Sequence, residues 1–354
     1  MKFTLGNTGI VTENMAFGAL PIQRISKEEA GRLLRMAFDG GMTYFDSARW
    51  YTDSEEKIGL AFGDMGIRDR IYIATKTHAA DVAGFWRDLE TSLKTLRTDY
   101  IDVYQFHNPK RVFRPGDGTG MYEAALEAKE KGLIRHIGFT NHSLERAAEC
   151  IDSGLYETLQ FPFSYLSGEP EMKLVRACRE KNMGFIAMKG LAGGLITNSA
   201  AAYAAIAEAE TVLPIWGVQR ESELNEFLSY IDNPPIMTPE MRAVIERDRK
   251  ELSGDFCRGC GYCMPCTVGI DIATAARMSQ LIRRAPTAPW LGEAQQTNMR
   301  KIEDCVECGK CESHCPQNLP IRQLLKEADK ALRPLPYKAA VNVARKFMFR
   351  KVRG

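Results

Sequence analysis

Ile71-Tyr72-Ile73-Ala74-Thr75-Lys76 and Ile101-Asp102-Val103-Tyr104-Gln105-Phe106-His107 are two short runs rich in β-branched and aromatic residues, each closed by a basic side chain. Runs of this length and composition read as buried strands. Between them Trp86 to Leu96 carries apolar residues at helical spacing. The alternation continues outward in both directions. Apolar runs end near Gly18, Asp46, Lys76, His107, Asn141, Gln160, Lys189 and Trp216, with helical patterns such as Glu28 to Asp39 and Tyr122 to Lys131 between them. Eight strands alternating with helices predict an α/β chain whose residues 1–231 form a (β/α)8 TIM barrel. A doubly wound sheet is the rival, but the first helix here does not open on the G-x-G-x-x-G that such a sheet would need. Phe3 to Val11, with its glycines, reads as a hairpin ahead of the barrel.

The 354 residues leave room for a second, smaller domain. Hydrophobic residues make up 45%, enough for a sizeable core. With 47 basic and 45 acidic residues the net charge is +2, which excludes a nucleic-acid binder driven by bulk charge. The start, Met1-Lys2-Phe3-Thr4-Leu5-Gly6, has no apolar signal core, and no run is long and apolar enough to span a bilayer. The expectation is a cytoplasmic protein.

The cysteines are the second strong pattern. Eight of the ten fall in two runs, Cys257-x2-Cys260-x2-Cys263-x2-Cys266 and Cys305-x2-Cys308-x2-Cys311-x3-Cys315-Pro316. A reducing compartment disfavours disulfides, and zinc sites usually place two CxxC pairs far apart. Three thiolates repeating every third residue, with a proline after the last, point instead to two [4Fe–4S] clusters. In two-cluster ferredoxins the fourth cysteine of each run ligates the other cluster. That assigns Cys257, Cys260, Cys263 and Cys315 to one cluster and Cys305, Cys308, Cys311 and Cys266 to the other. Asp232-Asn233-Pro234-Pro235 breaks the chain and starts a linker and helix over residues 232–254. Residues 255–335 then read as a mostly α-helical ferredoxin-like domain, including one helical pattern from Ile272 to Arg284. Residues 336–354 form a basic amphipathic tail suited to an acidic redox partner or an anionic membrane surface. The remaining thiols, Cys150 and Cys178, fit a helical core.

In a barrel, chemistry sits at the C-terminal ends of the strands. Asp46, Lys76 and His107 close three successive strands, and Tyr51 follows the first of them. A tyrosine is a weak acid at neutral pH. A nearby Lys76 would lower its pKa, Asp46 would hold the lysine and His107 would orient a carbonyl. Together these form a proton-donating site for carbonyl reduction.

Phe45-Asp46-Ser47-Ala48-Arg49-Trp50-Tyr51-Thr52-Asp53-Ser54-Glu55, Thr75-Lys76 and Phe106-His107 resemble the motifs of the aldo-keto reductase family. Ile137-Gly138-Phe139-Thr140-Asn141 and Gln160 extend the resemblance through the barrel, and the cysteine-rich end is similar to the subgroup with a C-terminal ferredoxin module. The resemblance implies an oxidoreductase acting on a small carbonyl or alcohol substrate. It makes Tyr51 the general acid, Lys76 and Asp46 its tuning pair and His107 the carbonyl orienter. It implies NADP(H), with Asn141 and Gln160 on the nicotinamide carboxamide and Gly18 and Asp46 beside it. The phosphate loops would be Met188-Lys189-Gly190-Leu191-Ala192-Gly193-Gly194 and Pro214 to Glu221, with Met188, Leu191, Gly193, Gly194, Gly217 and Arg220 as contacts. Here Gly190 and Trp216 stand where relatives have proline, Met188 where many have a stacking tyrosine, and Glu226-Phe227 where a Glu-Asn pair meets adenine. A flavin on the same loops is the alternative cofactor, because nicotinamide gives two electrons and a cluster takes one at a time. Three functions remain open: a reductase coupled to electron transfer through its clusters, an electron-transfer scaffold with a silent barrel, and an NADPH reductase whose clusters are structural.

Overall fold

The structure is a computed structural model, and it describes residues 2–252, 256–257, 259, 261–284, 293–315 and 317–333. The expected ligand Cys260 and the tail 336–354 lie outside the described residues. Strands β1 (Lys2–Thr4) and β2 (Val11–Glu13) pair antiparallel as the expected hairpin. The remaining strands are β3 (Ala16–Gly18), β4 (Tyr44–Asp46), β5 (Tyr72–Thr77), β6 (Ile101–His107), β7 (Ile134–Thr140), β8 (Thr158–Pro162), β9 (Gly184–Met188) and β10 (Val212–Gly217). All pair parallel with their neighbours, and β10 pairs with both β9 and β3, so the barrel closes.

Period-two alternation stacks the interior in layers. Ala16, Tyr44, Ala74, Val103, Ile186 and Leu213 form an apolar layer low in the barrel, and Phe3 and Leu5 of the hairpin pack into it. The approach is close: a Cβ on Gly6 would lie 2.3 Å from the Gly184 amide nitrogen. The hairpin thus caps the N-terminal end. Two residues further along β4, β5 and β6 come Asp46, Lys76 and Gln105, so the same alternation that buries the apolar layer raises a polar one at the mouth.

Eight helices surround the barrel: α1 (Lys27–Asp39), α2 (Ser54–Phe62), α3 (Val82–Leu96), α4 (Met121–Glu130), α5 (Leu144–Ser153), α6 (Glu169–Glu180), α7 (Ser199–Ala207) and α8 (Glu221–Asp232). Helix α3 begins before the expected Trp86 because Asp81 caps it, accepting the Gly84 amide at 2.7 Å. Helix α9 (Pro239–Glu251) follows. The chain divides into two compact units, residues 1–190 with 198–247, and residues 191–197 with the chain from Asp248 onward. This differs from the sequence-based boundaries, because a short piece inside the barrel span groups with the second unit.

The second unit is helical, with segments Ile272–Ala275, Met278–Arg284, Glu293–Arg300, Lys310–Ser313 and Ile321–Leu332 and no strand among its described residues. Ile270, Ile272, Met278, Met299, Ile321 and Leu325 form its core together with Cys257, Cys311 and Cys315. The helix expected over Ile272 to Arg284 is broken at Arg277. The Arg277 side-chain Nε donates to the Ala273 carbonyl at 2.8 Å, taking the acceptor its own amide would use in a continuous helix. That amide turns to Thr274 O at 3.1 Å instead. Among the described residues no helix is long and apolar enough to cross a membrane.

Candidate active site and cysteine cleft

Asp46 and Lys76 are the centre of the polar layer, 2% and 1% exposed. Lys76 Nζ donates to Asp46 Oδ1 at 2.6 Å and to the Ser47 carbonyl. Gln105 Nε2 and Gln160 Nε2 lie 3.3 and 3.4 Å from the Asp46 oxygens. Burial raises the Asp46 pKa and lowers that of Lys76, each shift opposed by the partner's charge.

The loop after β4 is pinned along β5 by Ser47 N to Ala74 O (2.8 Å) and Arg49 N to Lys76 O (3.0 Å). Thr52, at φ 41°, turns it into α2. Glu55 anchors this turn from below, 1% exposed, accepting from Thr75 Oγ1 (2.6 Å) and Ser92 Oγ (2.8 Å) and pairing with Arg49. Tyr51 is thereby held over the layer, with Lys76 Nζ 5.3 Å from its ring centre and the His107 ring 6.0 Å away. The four expected catalytic residues therefore meet at one mouth. The pKa expectation is overturned: burial, and then the Asp46 charge, push the Tyr51 phenol up. Lys76 does not offset this because its charge is already matched by Asp46.

Sequence reasoning missed Gln105, which braces Asp46, and a set of basic side chains around His107. The His78 ring lies 4.1 Å from that of His107, and the Trp50 ring meets His78 edge-on at 3.9 Å. Burial, then Lys76, lowers the His78 pKa to about 4. Burial holds His107 well below the ordinary range, helped by His78, Lys76, His142 and Lys189. Burial and then Lys189 do the same to His142. Each of these residues lies at or just beyond a strand end, so the signal that found His107 extends to them.

The expected nucleotide contacts are varied. Asn141 is 2% exposed; its Nδ2 donates to Pro109 O at 3.0 Å, and its Oδ1 accepts the His142 and Ser143 amides at 2.9 Å each. Gln160 Oε1 is buried with no hydrogen-bond partner, which suits an acceptor for a carboxamide N–H. A Cβ on Gly18 would come within 3.2 Å of Trp216 backbone atoms, so packing of β3 on β10 already requires glycine there. Met188 ends β9, and Gly217 ends β10 with its surface exposed. Arg220 is an exposed side chain ahead of α8, paired with Glu223. Glu226 bonds Tyr230 and Ser199, and Phe227 stacks on Trp216 at 4.6 Å. A Cβ on Gly190 would lie 2.7 Å from the Trp216 ring, so the two departures at these positions form one packing unit. In the second unit Leu191 is half-buried, and Gly193 and Gly194 are exposed with φ of 69° and 93°. Arg277 Nη1 donates to Gly193 O at 2.6 Å and Arg284 Nε to Leu195 O at 2.8 Å.

Cys263, Cys266, Cys305, Cys308 and Cys311 line one cleft, floored by Ile270, Ile272 and Leu325. The described cysteines carry no disulfide. Among the described residues no trio of ligands converges on the position of a single ion, and the thiols spread around the cleft. The Lys310 amide, followed by the Thr267 hydroxyl, lowers the Cys308 pKa, favouring the thiolate that iron needs. Burial raises that of Cys311. A set of thiols around an apolar-floored cleft fits an iron–sulfur group.

A model of the 4Fe-4S dicluster domain matches residues 256–320. The chain is 30% identical over 215 residues to the aldo-keto reductase YhdN of Bacillus subtilis, covering 56% of this chain and 64% of that protein. It is 33% identical over 158 residues to the methylglyoxal reductase DkgB of Salmonella typhi, covering 42% and 57%. The chain therefore spans less than two thirds of either relative. An aldo-keto reductase of Klebsiella pneumoniae solved in complex with NADPH shares the fold, at 23% identity and a TM-score of 0.57 over 70% of this chain and 95% of that one. The model of the Aldo/keto reductase family matches residues 14–212, more than half of the chain, and with a closed barrel presenting Asp46, Tyr51, Lys76 and His107 at its mouth the chain belongs to that family.

Proposed function

We propose that the protein is an NADP(H)-dependent oxidoreductase interconverting a small carbonyl and its alcohol, with two [4Fe–4S] clusters that exchange electrons with a redox partner. The observation that carries this reading is the buried Asp46–Lys76 pair beneath Tyr51 and His107. When bound, NADPH supplies the hydride. The residues of this chain do the rest. His107, its imidazole kept neutral, orients the carbonyl oxygen by hydrogen bonding. Tyr51, protonated throughout the neutral range, gives that oxygen its proton and is reprotonated from solvent. Lys76 lies beneath the Tyr51 ring, and Asp46 with its two glutamines keeps Lys76 in place. Gln160 Oε1 accepts from the nicotinamide carboxamide, with Asn141 beside it, and Gly217 and Arg220 take the phosphates.

In the second unit, Cys305, Cys308, Cys311 and Cys266 hold one cluster, all four lining a cleft that Cys263 also lines. Cys257, Cys260, Cys263 and Cys315 hold the other. The basic tail 336–354 docks on an acidic partner or an anionic membrane surface. Anaerobic reconstitution, iron and sulfide quantification, an NADPH-binding titration and aldehyde-dependent NADPH oxidation test the whole. Nucleotide binding and turnover with about eight irons per chain are expected. Bound zinc without sulfide would refute the cluster half, and clusters without nucleotide binding would favour the electron-transfer scaffold.

A further inference from the structure

We propose that Arg322 donates a hydrogen bond from Nε to a sulfur of the cluster held by Cys266, Cys305, Cys308 and Cys311, and so raises the potential at which that cluster takes its electron. This rests on the cluster reading above and adds to it a residue that sets the electron affinity of one site.

Arg322 stands on the wall of the cysteine cleft, with those four cysteines among the other lining residues. It lies in the first turn of the segment Ile321–Leu332, which packs on the short helix Lys310–Ser313 that carries Cys311 and Glu312. Glu312 fixes it at both ends: Oε1 accepts the Arg322 amide at 3.0 Å, and Oε2 accepts Nη2 at 2.7 Å. Nη1 reaches the Glu307 carbonyl at 3.5 Å. Both terminal nitrogens are thus turned to acceptors, and the donor left over is Nε. The side chain is 38% exposed along its outer edge, yet Nε is shut off from solvent and has no hydrogen-bond partner among the described residues.

A guanidinium that served only to tie two helices together would leave Nε in water at no cost. A shielded donor without an acceptor is destabilising, and such groups in folded proteins are met by something. The cleft supplies the acceptor class, because its floor of Ile270, Ile272 and Leu325 presents hydrocarbon and its walls present sulfur. Glu312 first, then Glu307 and the Cys311 thiolate, raise the Arg322 pKa against a smaller effect of burial, so the guanidinium feels the charge of a cluster ligand. Donors to cluster sulfurs raise the reduction potential, since they favour the extra negative charge of the reduced state. Glu312 already matches the guanidinium charge, so the effect lies in the N–H and not in a net cation.

The test uses the full chain loaded anaerobically with iron and sulfide, each cluster taking one electron from dithionite in an EPR-monitored titration. Arg322→Met should keep its iron and sulfide. One of the two potentials should fall by at least tenfold in the one-electron equilibrium constant, about 59 mV, while the other moves by less than about a third of that. The double variant Arg322→Met, Glu312→Gln keeps the local net charge and should show the same fall. Unchanged potentials would overturn the proposal. So would a fall that the double variant abolishes, since the stranded carboxylate alone would then account for it. The parent gives a second readout that needs no variant to fold. Made with arginine isotope-labelled at Nε, it should show a nitrogen coupling to the reduced cluster by pulsed EPR, and the lack of any coupling would rule out the donor. A parent that takes up no iron and sulfide refutes the cluster reading itself, before any variant is made.

Discussion

Replacing Lys76 by methionine removes the cation from a pair that is almost fully buried and leaves Asp46 facing two amides at 3.3 and 3.4 Å. Those contacts are too long to replace an ammonium at 2.6 Å. Breaking one side of a buried ion pair costs about 3–5 kcal/mol, because the stranded charge must lose water without a partner. Asp46 escapes by keeping its proton, so its pKa, already raised by burial, rises further. The sign follows: the folded form then binds a proton that the unfolded chain releases near about pH 3.9, so stability falls as pH rises through that window. The loss accumulates at about 1.4 kcal/mol per pH unit until the folded carboxyl ionises or the full cost is reached. Urea unfolding followed by tryptophan fluorescence should therefore show Lys76→Met weakened modestly at pH 5.5 and severely at pH 8.5. Asp46→Asn in the same chain should restore most of the loss and remove the pH dependence. A single variant as stable as the parent at pH 8.5, or a double variant no better than the single one, would refute the reasoning.

Gly190→Ala should destabilise the barrel by about 1–3 kcal/mol, since its Cβ would meet the Trp216 ring at 2.7 Å, and Trp216→Leu should relieve it; urea midpoints of both variants check this. Cys266→Ala should remove the cluster held with Cys305, Cys308 and Cys311, halving iron and sulfide content, whereas unchanged iron would refute the crossed assignment. Because the His107 pKa lies well below its ordinary value, kcat should show no His107 titration between pH 6 and pH 8, and a break there that disappears in His107→Gln would contradict the neutral imidazole. Tyr51→Phe should abolish carbonyl reduction and leave NADPH affinity within about twofold, by fluorescence titration.

The barrel was legible because strand ends announce themselves: the eight expected ends fall within two residues of the observed ones. The positions of Asp46, Lys76 and His107 were legible for the same reason, since one polar residue after an apolar run marks the mouth. Gln105 was not, because it sits inside a strand whose alternation also carries Val103, and only the register with Lys76 shows that it faces Asp46. The tyrosine pKa was misjudged because a list of charges does not say which are already matched. The broken helix at Arg277 was invisible to periodicity, since the break comes from a side chain capturing a carbonyl four residues back. The complementarity of Gly190 and Trp216 needs three dimensions: each looks like an independent departure in the chain.

Residues 191–197 belong to the second unit although Gly190 and Asn198, on either side, belong to the first. The second unit is therefore built from two stretches of the chain, and no single cut separates it from the first. A chain ended after Arg247 would keep the barrel strands but strand the carbonyls of Gly193 and Leu195 without Arg277 and Arg284. Timing on the ribosome is affected in the same way. Gly193 is separated by 84 residues from the arginine that holds it, so this loop emerges about 4–17 s before its partner at ordinary synthesis rates. Recombination would have to exchange both pieces at once, so the loop and the iron–sulfur unit should be inherited as a pair.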